Sequence, residues 1–461
     1  MSRGAFAGRR AGSNEQTPQA AVERPGLAAR QIAAKLLGAV LETGTSADGL
    51  TDPAHGQPGF RALEPRDQAL VKAILLSALR FHGSIAAMLD ACLDRPLPAK
   101  AAALRHLLHV GATQILHLGV PDSAAVDLAV ESANADPRNR RYAGMVNAVL
   151  RRLSRERDAL VTRYGDARLD CPAWFYERLV AAYGNDAAAR IAAAHRLPPP
   201  LDLTVKRDPA LWAERLGGRL LPTGSVRLPG NGGPVTELEG FAEGEWWVQD
   251  AAAALPARLF GDLDGKRAAD LCAAPGGKTA QLALAGAEVT AVEISVSRLR
   301  RLRANLERLG LTAQLVQGDL STLRAPALFD ALLLDAPCSS TGTLRRHPDV
   351  AFTKSPAEIE KLAAVQARLL ADAAKLAAPG GRLIFSNCSL DPLEGEAVAD
   401  AFLAEHRHFA LDPVSPDEVT GLAEAVSPTG MLRTTPAMLD LGDPALSGLD
   451  GFFAARFRRI A

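Results

Sequence analysis

Nowhere in this sequence do as many as roughly eighteen apolar residues run together, so no membrane span is expected. No CxxC pair occurs, which leaves structural zinc without its usual ligands. Five scattered cysteines (Cys92, Cys171, Cys272, Cys338 and Cys388) are an odd set for a disulfide framework. A reducing, cytoplasmic setting follows as the expectation. Nor does one sign of charge prevail: 52 Lys plus Arg face 52 Asp plus Glu, so global charge points to no partner. The basic residues are mostly Arg, whose planar fork suits phosphate; a plainer cause, a GC-rich genome, fits the abundance of Ala equally well. Residues 1–26 are Arg, Ser, Gly, Gln and Pro without the apolar core of a secretory signal, and read as a disordered tail.

What the chain does hold is ordinary globular material, 48% hydrophobic and 23% charged. At 461 residues it exceeds a single core, and two or three domains are expected. Residues 27–160 read as an all-α domain. Leu36, Leu37, Val40 and Leu41 fall at helical spacing, as do Leu70, Ile74, Leu75, Ala78 and Leu79, and no strand pattern interrupts them. Arg138, Arg140, Arg141, Arg151, Arg152, Arg155 and Arg157 form a basic stretch with two readings, a footprint for a phosphate backbone or a solvated face. His106, His109 and His117 lack accompanying carboxylates and read as packing residues. Residues 161–245 form a connector: a helical pair around Trp174, Tyr176, Leu179 and Val180, the Pro198-Pro199-Pro200 run, then an alternating strand at Leu201–Val205. It reads as scaffold.

In residues 246–461 strands and helices alternate, the pattern of an α/β domain with a doubly wound, mostly parallel sheet. Expected strands are 267–271, 288–294, 313–316, a run closing on Asp335, and 383–385. A helix capped by Ser355 should run to Ala378 and stop at Pro379-Gly380-Gly381, and Asp391-Pro392-Leu393-Glu394 should cap another. The stretch FDALLLDAPCSSTG sets Asp335 at the carboxyl end of a buried strand, with Cys338 on the turn that Pro337 fixes; ligands bind above such strand ends. The loop Cys272-Ala273-Ala274-Pro275-Gly276-Gly277-Lys278-Thr279 resembles the end of a P-loop, but the glycine required five residues before Gly277 is Cys272. Its glycines instead allow close approach of an adenosine cofactor. Glu293 follows Asp270 by 23 residues, where an acid meets ribose hydroxyls; Asp319 closes the third strand and could accept from an adenine amino group.

Cys338 and Cys388 each lie just past a strand end, on strands expected to be neighbours. A free cysteine can be an inert small hydrophobe, yet this position suits a thiolate nucleophile. The pair LDAPCSSTG and SNCSLDPLEGE resembles the RNA cytosine-5 methyltransferases. With GMVNAVLRR at 144–152, which resembles a NusB-like helical RNA-binding domain, the chain is similar to bacterial 16S rRNA enzymes of the RsmB/Sun (Fmu) type. The resemblance implies a class I, Rossmann-like methyltransferase domain that uses S-adenosyl-L-methionine. It further implies that Cys388 attacks C6 of cytosine, that Asp335 holds the base, and that Cys338 assists release. Cofactor contacts would map onto Cys272, Ala273, Ala274, Pro275, Gly276, Gly277, Lys278, Glu293, Asp319 and Asp335. The implied partner is RNA, 16S rRNA above all, bound by a monomer. Asn387 and Glu293 depart from the usual Thr and Asp, both conservatively. Three rivals stay open: a tRNA enzyme, a DNA enzyme that would use Cys338 as nucleophile, and a non-catalytic RNA-binding or antitermination factor.

Overall fold

The computed structural model describes residues 1, 24–98, 100–230, 233–324 and 327–460, so the expected tail lies almost wholly outside the described residues. The chain then opens on helices. Leu27–Thr43 buries Ala29, Ala33, Leu36, Leu37 and Val40 along one stripe, and Gly44 ends it in the left-handed region, where its N–H caps the Val40 carbonyl at 3.1 Å. Ala102–His117 is buried nearly all round, which makes it the central helix of the bundle. His109 and His117 pack as expected, whereas His106 lies 3.5 Å from the Glu42 carboxylate. His109 meets the Ala78 carbonyl at 3.2 Å, and the His117 ring stacks on Phe81 at 3.8 Å.

The helix Ala143–Arg155 buries Val146, Val149, Leu150 and Leu153 and turns its arginines outward. Three of the seven expected arginines are ion-paired: Arg138 with Asp136, Arg152 with Glu156 and Arg157 with Asp122. Arg140, Arg141, Arg151 and Arg155 have no carboxylate partner among the described residues. The basic footprint is therefore narrower than the sequence suggests.

The helical pair of the connector is a span from Ala173 to His195 broken at Gly184, whose φ of 78° no helix accommodates. A small antiparallel sheet follows, built from β1 (Leu201–Val205), β2 (Arg219–Leu220), β3 (Val226–Leu228) and β4 (Trp246–Val248) in the order β2-β3-β1-β4. Arg227 and Asp202 pair bidentately across it at 2.7 Å, fully buried. Arg227 also donates to the carbonyls of Leu446 and Gly448, which ties this sheet to the last part of the chain.

The large sheet carries β5 (Arg267–Leu271), β6 (Glu288–Glu293), β7 (Gln314–Gln317), β8 (Phe329–Asp335), β9 (Ala377–Asn387), β10 (Phe409–Leu411), β11 (Leu432–Thr434) and β12 (Phe452–Arg459). Its order is β10-β12-β9-β8-β5-β6-β7, with β11 on β12. The five strands from β9 to β7 are parallel, and β12 lies antiparallel to β9. Strand order runs outward in opposite directions from β5, to β6 and β7 on one side and to β8 and β9 on the other, so the crevice between β5 and β8 is where a ligand sits in such a fold.

Three expectations are corrected here. The Pro356–Ala374 helix ends before Ala378, and Pro379-Gly380-Gly381 lies inside β9, where the pairing with β8 shifts register. The next helix begins at Glu396, not behind Asp391, because Asp391–Glu394 turn inward as a loop. The third strand is Gln314–Gln317, shifted by one residue. Among the described residues no single helix is long and apolar enough to cross a membrane.

Candidate active site

The loop after β5 is forced open by its own backbone. Cys272 (φ 65°) and Gly276 (φ 106°) both adopt left-handed conformations, and the helix Gly277–Leu284 starts directly behind them. The neighbouring helix Val296–Leu309 grips the loop from outside, with Arg298 donating to the Ala274 carbonyl at 2.6 Å and Asn305 to that of Pro275 at 2.9 Å. From within, Lys278 reaches across the sheet to Asp335 Oδ2 at 2.7 Å and lies over the Phe452 ring. A P-loop lysine points at phosphate; this one is paired to a carboxylate. Ser386 Oγ donates to the other Asp335 oxygen at 3.0 Å.

The remaining acids divide. Glu293 is buried; its Oε1 accepts from the Ser295 N–H at 2.9 Å, while Oε2 has no hydrogen-bond partner and only a distant guanidinium, that of Arg298 at 3.6 Å. A buried carboxylate oxygen left open is costly unless something donates to it, and a ribose hydroxyl fits that need. Asp319 is exposed at the end of β7, where the Ser321 N–H and hydroxyl bond its Oδ1 and hold its carboxyl below the usual range. Cys272 is different again. Burial, aided by the charges of Asp335, Glu293 and Asp270, pushes its thiol up to about 12, so it stays neutral.

The structure brings the other two thiols together. β8 and β9 are parallel neighbours in register, Asp335 opposite Ser386, so the loops behind them start side by side. Cys338 and Cys388 face each other with Sγ atoms 3.4 Å apart. Cys388 is held below the ordinary thiol value, chiefly by the hydrogen bond from Cys338, with Ser340 and the Lys278 charge helping against burial. That same bond, together with burial, drives Cys338 well above it. The environment thus lowers the Cys388 thiol and raises that of Cys338.

Two loops must hold this geometry. Gly342 N–H donates to the Cys388 carbonyl at 2.8 Å, and the Gly342 carbonyl accepts from the Gly451 N–H at 2.8 Å. A Cβ on Gly342 would lie 2.1 Å from the Gly451 oxygen, so only glycine fits. The segment after Gly342 is clasped by the N-terminal helices: Ala47 N–H donates to Asp349, His347 pairs with Asp48, and Arg80 donates to the Arg345 carbonyl. Sequence reasoning missed Glu394, which is wholly buried between the two cysteine loops. Its spacing behind Asp391 mimics a helix cap and hides that role.

Against known proteins, a family model described as 16S rRNA methyltransferase RsmB/F matches residues 260–458, and one for the NusB family matches residues 27–155. A ribosomal RNA small subunit methyltransferase B of Salmonella arizonae is 34% identical over 410 residues, covering 84% of this chain and 93% of that protein. The chain belongs to the RsmB/F methyltransferase family. An RsmB/F relative from Xanthomonas campestris pv. campestris is 38% identical over 395 residues, 82% of this chain and 88% of its own. The RsmB/F fold recurs in the crystal structure of PH0851, with a TM-score of 0.68 at 22% identity over 95% of this chain and 99% of that one. It recurs also in NSun6 from Pyrococcus horikoshii with SFG, with a TM-score of 0.52 at 20% identity over 63% and 98%.

Proposed function

We propose that this RsmB/F chain methylates C5 of a cytosine in 16S rRNA through a covalent bond between Cys388 and C6. The observation that carries the reading is the polarised thiol pair, 3.4 Å apart beside Asp335 and Lys278 at the switch point of the sheet. S-adenosyl-L-methionine, when bound, supplies an electrophilic methyl group on its sulfonium. Glu293 would accept from its ribose and Asp319 from its adenine amino group, while the Cys272–Lys278 loop would line its path.

C5 of cytosine is too weak a nucleophile until C6 is attacked. The target base leaves its stack to be reached. Cys388, already polarised toward thiolate, forms the Sγ–C6 bond, and the C5=C6 electron pair moves to C5. Asp335 hydrogen-bonds the N3/N4 edge and stabilises the attacked ring. After methylation the C5 proton passes to water, its electron pair restores C5=C6, and the C6–Sγ bond breaks. Cys338, still protonated, hydrogen-bonds the departing Cys388 thiolate. The opposite assignment, with Cys338 as nucleophile, uses the thiol that its neighbour and burial raise.

Bisulfite sequencing of unmodified 16S rRNA, incubated with protein and S-adenosyl-L-methionine, tests this. One protected cytosine is expected, lost with Cys388→Ala, and a trapped protein–RNA adduct with Cys338→Ala. Protection that survives Cys388→Ala and vanishes with Cys338→Ala would reverse the roles. Protection of tRNA alone would move the substrate. No protection on either RNA returns the chain to a non-catalytic factor.

A further inference from the structure

Glu394 takes no part in the steps above, yet four donors converge on it. Its Oε1 accepts from the Ser339 N–H at 2.8 Å and Gln366 Nε2 at 2.9 Å. Its Oε2 accepts from Ser389 Oγ at 2.6 Å and from Ser339 Oγ. Ser339 follows Cys338 and Ser389 follows Cys388. The Glu394 backbone carbonyl takes the Asn387 amide at 2.7 Å, and Asn387 precedes Cys388. Gln366 also donates to the carbonyl of Pro337, which precedes Cys338. One side chain thus bonds residues flanking both thiols. A carboxylate suits this place because it offers acceptors on two oxygens, where an amide offers one.

We infer that Glu394 is a positioning residue, whose carboxylate locks the two cysteine loops at a fixed spacing and so sets how the two thiols share a proton. Its negative charge adds to what keeps Cys338 protonated, and Cys388 gains from the hydrogen bond that Cys338 can therefore donate. The inference deepens the methyltransferase reading, and the value of Glu394 to product release rests on that reading.

The test needs no RNA. Full-length protein is treated with iodoacetamide from pH 6 to pH 10, and each thiol is followed by peptide mass spectrometry. In the wild type, Cys388 reacts at the lower pH. In Glu394→Gln, the rate of Cys388 at pH 7 is expected to fall about fivefold while that of Cys338 rises, so the two profiles converge. A purely structural role would loosen both loops and speed both thiols together; that result, or unchanged profiles, overturns the inference. If Glu394→Gln no longer binds S-adenosylhomocysteine, Ser389→Ala replaces it. That variant keeps the charge and cuts one bond on the Cys388 side, so slower alkylation of Cys388 supports the inference and an unchanged rate refutes it. A wild type that methylates no cytosine would sink the functional reading and leave the thiol profiles to decide this one.

Discussion

Arg346 offers the sharpest test of how the site is held. It bridges two buried acids, Asp250 at 2.6 Å behind the small sheet and Asp450 at 2.9 Å just before β12. Asp450 N–H also donates to Asp250 at 3.1 Å, and Gly451, the next residue, bonds Gly342 beside the thiols. One cation serves two carboxyls. Burial and the Asp250 charge push Asp450 up to about 7, whereas Asp250, despite its burial, is held below the usual range by the Arg346 guanidinium. Arg346→Met leaves both acids unpaired, and removing one partner of a buried pair costs about 3–5 kcal/mol. That is at least about a fifth of the roughly 5–15 kcal/mol that keeps a domain folded.

The loss should depend on pH. A carboxyl raised in the folded state binds more protons there than when unfolded, so its penalty grows as pH rises from the unfolded value and levels off at the folded one. In the variant the folded values rise further. Its deficit against wild type should therefore be largest near pH 8 and shrink toward pH 6, by up to about 1.4 kcal/mol per pH unit for each carboxyl that takes up a proton. Urea unfolding of both proteins at pH 6 and pH 8 measures this. A deficit below about 1 kcal/mol at pH 8, or one equal at both pH values, would refute the reasoning.

Three further outcomes are expected. Gly342→Ala drives a methyl group into the Gly451 carbonyl; a stability loss of about 1–3 kcal/mol in urea should come with a methylation rate too low to score against wild type, and wild-type turnover would contradict the packing. Glu293→Ala removes the open buried oxygen, so calorimetry should find S-adenosylhomocysteine bound about 10–100-fold more weakly, an unchanged affinity ruling out the ribose contact. The His347–Asp48 pair raises His347 above its ordinary value, chiefly through the hydrogen bond that the imidazole donates to Asp48. Its stabilisation is present below pH about 6.5 and fades as pH climbs through the raised value. The melting temperature of Asp48→Asn should therefore lag wild type more at pH 6 than at pH 8.5, by an amount worth under about 1 kcal/mol for so exposed a pair.

The parallel core was legible because buried strands such as Phe329–Asp335 read as unbroken apolar runs, and Asp335, which ends that run, is a candidate site residue. β12 was not. Its FFAARFRR pattern has no period of two, since it is buried on both faces and Arg456 is satisfied inside by Glu418 at 2.7 Å. Asp391–Glu394 carry the letters of a helix cap, but the donors that turn Glu394 inward, Gln366 and Ser339, lie 28 and 55 residues away. The two thiols could be placed on adjacent strand ends from spacing alone. Which of them is lowered could not, because Ser340 and Lys278 act through space. The arginine stretch looked stronger than it is for the same reason: Asp122, one of its neutralising acids, sits 35 residues upstream of Arg157.

The segment that follows Gly342 bears on how such a protein can be taken apart. Ala47, Asp48 and Arg80 supply one wall of it, and Leu197 and Pro198 take the Arg345 guanidinium on the other. The first helices thus form part of the wall around the candidate reaction centre. A chimera that grafts residues 246–461 onto a foreign binding domain would carry every thiol and acid of the site while leaving the Thr341–Thr353 stretch without its mortar.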